Sequence, residues 1–250
     1  MKTKWDYTEL AQAYLKRPDY SDHAIDTLLE RTGLPAGSRV CDVGAGVAHL
    51  TLMLLDREMD VVAVEPNDAM RALGMGRTEG LSGVRWEEGT GEETRQAPAH
   101  FHLVTFGSSF NVTDRGAALA ETARILRPGG WFAAMWNHRD LADPIQREIE
   151  GIISRNIPDY DYGTRREDQG AVIRSSGLFR GVERIEGEVR HTVPVADVVE
   201  AWRSHATLQR QAGERFGPIV EEIEGVLAGA DAIEVPYTTR IWMARLAHRG

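Results

Sequence analysis

The chain has 250 residues, with 29 Lys and Arg against 38 Asp and Glu, a net charge of −9. That length suffices for one α/β domain with an elaboration and a complete core. The acidic balance argues against a nucleic-acid footprint, which is basic. The single cysteine, Cys41, excludes an internal disulfide, and no apolar run approaches the ~20 residues needed to cross a membrane. Met1–Asp6 lacks the apolar stretch of a signal peptide, so a cytoplasmic protein without a membrane partner is expected.

In chain order, residues 5–16 predict a short amphipathic helix, and 22–32 a second one ended by Gly33 and Pro35. Arg39 to Leu50 then reads as an apolar strand, a tight glycine turn and a helix start. A second strand, Val61–Val64, ends in Glu65, and strands alternate with helices up to Trp136. Such alternation predicts a parallel sheet with right-handed crossovers and a ligand at the carboxyl ends of the strands. Asp42, Glu65, Gly89 to Gly91, Phe106 and Trp136 to His138 fall at those ends. Apolar residues at Ile145, Ile149, Ile152 and Ile153 predict a helix over 143–153. A loop over 156–166, carrying Tyr160 and Tyr162, follows; it fits either a lid or a linker with its tyrosines packed down. A strand over 182–193, a long helical stretch over 195–228 and a last strand over 241–246 complete the pattern.

The chemistry of the turn points to a cofactor. Glycines at 44 and 46 let the backbone approach a ligand, and an acid about 20 residues further on suits two ribose hydroxyls. A dinucleotide fingerprint has a third glycine where this chain has His49, and Asp42 would repel a diphosphate. S-adenosylmethionine (SAM) carries an ammonium and a sulfonium and no phosphate.

Asp42-x-Gly44-x-Gly46 resembles the first motif of the class I SAM-dependent methyltransferases, with Ala48 in place of the usual third glycine. Val64 to Met70 resembles the family's second-strand end, Glu87 to Glu92 the segment along the adenine, Leu103 to Phe106 the fourth strand, and Ile125 to Phe132 the turn into the fifth. Tyr14 to Tyr20 is similar to an entry segment of small-molecule methyltransferases. The match spans roughly residues 5–136, and the trans-aconitate-methyltransferase-like group is the nearest in pattern. That group's His-Trp pair after strand four is Asn111-Val112 here, and an amide cannot take a proton.

The resemblance implies a Rossmann-like α/β fold: a seven-stranded, mostly parallel sheet with an antiparallel last strand, helices on both faces and helical cap insertions. It implies one domain over 1–250, with residues 33–136 binding SAM and residues 137–176 and 195–235 shaping the acceptor pocket. Asp42, Gly44, Ala45 and Gly46 would meet the methionine half, and Glu65 with Pro66 and Met70 the ribose side. Gly89, Thr90, Gly91 and Phe106 would line the adenine, and Tyr14 and Arg17 would close over the methionine end.

Methyl transfer needs positioning first and a general base only where the acceptor loses a proton. His138, at the end of strand five, is the candidate base, with His205 and His23 behind it. Arg203 and Arg210 could hold an acidic acceptor or simply face solvent. No metal-ligand cluster or nucleophile elbow is found, so no metal is expected. The expected activity is methyl transfer from SAM to nitrogen, oxygen or carbon of a small molecule, yielding S-adenosylhomocysteine. The alternatives are an NAD-dependent oxidoreductase and a SAM-binding protein without transfer activity. A homodimer is one assembly the sequence allows.

Overall fold

A computed structural model describes residue 8, residues 11–203 and residues 205–247. Met1–Asp6 and the start of the expected first helix lie outside them; the described part of that helix is α1 (Ala11–Tyr14). The chain divides into two compact units, 1–137 with 167–187 and 239–250, and 138–166 with 188–238. The expected cap segment 137–176 is thus split, its last ten residues (167–176) lying in the first unit.

In the first unit, α2 (Asp22–Thr32) starts where Ser21 Oγ accepts the Ala24 N–H and stops at Gly33, whose φ of 64° is left-handed. Then follow β1 (Arg39–Val43), α3 (His49–Leu55), β2 (Asp60–Val64), α4 (Asp68–Arg77), β3 (Val84–Glu87), β4 (Phe101–Gly107), α5 (Arg115–Ile125) and β5 (Leu126–Arg139). Asn67 caps α4 and Asp114 caps α5, each accepting a backbone N–H of the first turn. Such a cap contributes about 1 kcal/mol. Further along are α6 (Pro144–Asn156), α7 (Gln169–Ser175), β6 (Phe179–Pro194), α8 (Val195–Arg203), α9 (Ala206–Ala212), α10 (Phe216–Leu227) and β7 (Ala232–Leu246).

The strands form one seven-stranded sheet in the order β3-β2-β1-β4-β5-β7-β6. β3, β2, β1, β4 and β5 pair in parallel, and the last strands are antiparallel. Alternating side chains of a strand face opposite sides of a sheet. Val40, Val61 and Leu103 accordingly join a core with Ile25, Leu28, Leu50 and Leu54. Cys41, Val62 and Val104 join the other, with Phe106, Phe110, Phe132 and Phe179. Both faces being covered is why β1 and β2 read as continuous apolar runs.

The second unit has its own core. The buried face of α6, Ile149, Ile152 and Ile153, packs with Trp202, Leu208, Ile219, Ile223 and Leu227. Asp143 caps α6 and Pro144 occupies its first turn. The single helical stretch expected over 195–228 is three helices. His205 Nδ1 accepts the Leu208 N–H and starts α9 afresh, and Gly213, at φ 56°, ends it. The last strand begins at Ala232, nine residues before the expected start at 241.

Candidate cofactor site

The site is built on the turn between β1 and α3. Gly44 and Gly46 both have positive φ, 69° and 58°. The N–H groups of Gly44 and Ala45 donate to Val64 O at 2.8 and 3.1 Å, which ties the turn to the end of β2. A Cβ on Gly44 would lie 2.4 Å from Ser109 Cβ, so this position requires glycine for packing as well as for backbone. A Cβ on Gly46 would meet nothing within 4 Å. Ala48 sits at φ 76° in the left-handed region that the usual glycine would take without strain.

Glu65 lies beside that open space. It is 6% exposed, its Oε2 accepts Gly46 N–H at 2.9 Å, and its Oε1 accepts Asn67 N–H at 2.8 Å. One carboxylate therefore fixes both loops that border the carboxyl ends of β1 and β2. A carboxylate has about four acceptor sites. The two backbone bonds leave one on each oxygen for two further donors. Burial raises the Glu65 pKa, and the backbone bonds from Asn67 and Gly46 oppose that.

Asp42 lies below the turn and is fully buried. Thr51 donates to its Oδ2 at 2.7 Å and Thr105 to its Oδ1 at 3.0 Å. Burial raises its pKa to about 6, against which the two hydroxyls act. Both partners are neutral, so the charge of Asp42 is solvated by hydroxyls and not matched by a cation.

The loop after β3 brings the expected adenine segment to the same end. A Cβ on Gly89 would lie 2.9 Å from Val64 Cγ1, and one on Gly91 2.6 Å from Thr113 Cγ2. Thr90 N–H donates to Glu93 O at 3.0 Å, and Thr90 Oγ1 accepts Glu93 N–H at 3.1 Å, closing the turn on itself. Pro66 is half-buried just after Glu65. Met70 is buried with Ala11 and Val47, beside Tyr14 and Leu15. Phe106 is fully buried, its ring edge-to-face with Phe110 at 5.4 Å, so its side chain belongs to the core and its backbone lies at the end of β4.

The entry segment is fastened to the glycine turn. His49 Nε2 reaches Tyr14 O at 2.8 Å and its Nδ1 reaches Asp19 Oδ1 at 2.6 Å. Arg17 stacks on Tyr14 with its Cζ 3.7 Å from the ring centroid. Asn137 Nδ2 donates to Asp19 O at 2.9 Å. Sequence reasoning missed these fasteners, along with Thr51, Thr105 and Ser109, because each partner is far away in the chain. Ser109 Oγ donates to Val43 O at 2.5 Å. Asn111 Oδ1 accepts Trp136 Nε1–H at 2.8 Å, a structural use of the amide.

The other expected residues lie in the second unit. His138 is a half-buried residue within β5 rather than after it. His205 stacks on Trp202 with ring centroids 5.2 Å apart, and Arg139 lies over the same ring at 4.2 Å. The tyrosines of the 156–166 loop are packed down. Tyr160 and Tyr162 are edge-to-face at 4.5 Å, Arg166 covers Tyr162 at 3.2 Å, and the Asp161 backbone N–H and C=O both bond the Gln211 side-chain amide. Burial, with Glu150 next, raises the Tyr162 pKa. Arg203 pairs with Glu224 at 2.7 Å on an exposed face, and Arg210 is exposed.

A strand-turn-helix with left-handed glycines, a buried acid beneath it and a second acid closing the next strand is an arrangement that suits a nucleoside cofactor. Residues 40–130 match the methyltransferase domain family. The chain is 38% identical over 144 residues to an uncharacterized methyltransferase of Mycobacterium tuberculosis, covering 56% of this chain and 55% of that protein. It thus spans about half the length of the curated relatives it matches. Among solved structures, a proposed type II methyltransferase from Anaeromyxobacter dehalogenans aligns with a TM-score of 0.66 at 20% identity, over 93% of this chain and 99% of that one. Phosphoethanolamine N-methyltransferase 2 of Haemonchus contortus, solved with phosphomonomethylethanolamine and S-adenosylhomocysteine, aligns with a TM-score of 0.56 at 14% identity, over 96% and 57%. At these identities the two structures establish the fold.

Proposed function

We propose that the chain is a SAM-dependent methyltransferase that passes the methyl group to nitrogen, oxygen or carbon of a small-molecule acceptor by in-line displacement. The observation that carries this is the Glu65 carboxylate. It is joined to Gly46 N–H and Asn67 N–H, beside a glycine whose missing side chain leaves open space. The residues fit SAM on their own chemistry. Glu65 keeps acceptor capacity for two hydroxyls, and Asp42 is a buried anion that a cationic ligand would stabilise.

Bound SAM supplies a methyl carbon already activated by its sulfonium, with a neutral thioether as leaving group. Glu65 would hold the ribose, flanked by Pro66 and Met70. Asp42, Gly44, Ala45 and Gly46 would hold the methionine half, with Tyr14 and Arg17 over it. Gly89, Thr90, Gly91 and Phe106 would border the adenine. Holding the reacting groups in line can remove about 7–11 kcal/mol from a barrier. His138 is the proposed proton acceptor where the acceptor must lose a proton, a contribution of about 10²–10⁴-fold. Acceptor choice is assigned to the segments 137–176 and 195–235. The motif order supports the narrower placement near the trans-aconitate-methyltransferase-like group. The net charge of −9 supports a small molecule over nucleic acid as acceptor. A cytoplasmic location is part of the proposal, and among the described residues no helix is long and apolar enough to cross a membrane.

Incubation of the purified chain with labelled SAM and fractions of a metabolite extract tests the reading. Acceptor-dependent formation of S-adenosylhomocysteine is expected. Retained SAM binding with no turnover in any fraction would replace it with a binding protein that does no transfer. Retention of NAD instead of SAM, read by mass spectrometry, would replace both.

A further inference from the structure

At the opposite end of the sheet from Glu65, the amino ends of the parallel strands carry a cluster of basic side chains. Arg39 opens β1, Arg85 is the second residue of β3, Arg127 the second of β5, and His100 and His102 flank the start of β4. Asp60, at the start of β2, is the acid that faces them. In a chain of net charge −9 this concentration is unusual, and among the described residues none of the three arginines pairs with a carboxylate.

The hydrogen bonding of His102 points to what the cluster lacks. Its Nδ1 accepts the Arg39 backbone N–H at 3.0 Å. A neutral imidazole accepts at one nitrogen and donates at the other. Nε2 therefore carries the proton, yet it lies 2.7 Å from Arg127 Nη1, which is also a donor. Arg39 Nη1, a third donor, stands 3.5 Å from His100 Nδ1. Burial first, and then the neighbouring arginines, lower the pKa of both histidines. At His102 a donor thus faces a donor, and the guanidiniums of Arg39 and Arg127 gather against two neutral imidazoles on a partly exposed edge. An acceptor carrying negative charge would satisfy the His102 Nε2–H and the guanidiniums together, and a guanidinium pair suits the oxygens of a phosphate.

We propose that this edge binds a phosphate-type oxyanion between Arg39, Arg127, His100 and His102, with Arg85 at its rim. The site is separate from the proposed cofactor site and does not depend on that reading. The oxyanion could be a free phosphate or the phosphate of a lipid headgroup, and two arms distinguish them. Calorimetric titration with inorganic phosphate at fixed ionic strength reads the first. Flotation with phosphatidate-containing against pure phosphatidylcholine vesicles reads the second. Saturable binding in either arm, moving the ring resonances of His100 and His102 and weakened at least tenfold in Arg127→Gln, supports the proposal and names the source. Arg127 is exposed, so this variant keeps its fold; Arg39→Gln should act in the same direction. Arg31→Gln, at an exposed ion pair with Glu183, should leave the affinity unchanged. Binding that is absent from both arms, or that neither Arg127→Gln nor Arg39→Gln alters, would overturn it.

Discussion

The glycine turn and the helices of the second unit are held together in different ways. At the turn two buried acids are held by hydrogen bonds: Glu65 accepts from Gly46 and Asn67 backbone, and Asp42 takes two hydroxyls. In the second unit, polar and aromatic side chains mostly serve packing, caps and exposed ion pairs, as with His205 on Leu208 N–H and Arg203 on Glu224. The first arrangement ties buried charge to the backbone that shapes the turn. The second can be rebuilt with little cost to the fold. Cofactor binding should therefore be intolerant of substitution, and acceptor preference permissive.

The largest expected effect is at Gly44. Its left-handed backbone and the lack of room for a Cβ beside Ser109 mean that Gly44→Val adds backbone strain to overpacking. Each is worth roughly 1–3 kcal/mol. Thermal unfolding should fall by several degrees and SAM binding should vanish. A variant with wild-type midpoint and affinity would show that the turn is not rigid.

Asp42 gives a comparable effect through pH. Its folded pKa of about 6 lies above the ordinary 3.8 of a free aspartate, so the folded state binds the proton more tightly. The stabilisation is complete below the unfolded value and is lost as pH rises through the folded one. The group should thus cost about 3 kcal/mol between pH 4 and 6. Denaturant titrations should show stability falling across that window from this group, with the fall absent in Asp42→Asn. The same variant should bind SAM at least tenfold more weakly. A variant with the wild-type pH profile would remove the buried charge from the account.

In the second unit, Tyr162→Phe and Arg203→Gln should change kcat/KM for an acceptor by about tenfold or less, roughly 1.4 kcal/mol, and leave SAM affinity alone. A matching loss of SAM affinity would erase the contrast between the two regions. The smallest effect is expected at Ala48. Ala48→Gly relieves about 1–2 kcal/mol of left-handed strain and loses about 0.5–1 in chain entropy. A net gain of up to about 1.5 kcal/mol should appear in the unfolding midpoint.

Much of the first unit was legible because its signals are local. The apolar run Arg39–Val43, the glycine pair and the acid at the end of β2 each carry their meaning within a few residues. What escaped was set by distant partners. His49 reads as an obstacle to a third glycine, whereas its ring fastens Tyr14 and Asp19, 35 and 30 residues away. Thr105 reaches Asp42 across 63 positions. Phe106 shares the end of β4 with the site, but strand alternation turns its ring into the core. In the second unit the breaks at His205 and Gly213 were present in the sequence. The one at His205 was masked by apolar residues at 198, 199, 202 and 206 that keep a helical spacing across it. The early start of β7 was hidden by Pro236, a residue that argues against a strand interior, although its carbonyl accepts the Asp140 N–H.

The central claim is that Glu65 both fixes the two loops and receives the cofactor's ribose. Calorimetric titration of SAM into the wild-type chain and Glu65→Ala tests it most directly. Saturable one-to-one binding is expected for the wild type, with a loss of about 1.5–3 kcal/mol in the variant, the range for hydrogen bonds to a charged group. Equal affinity in the two proteins would contradict it.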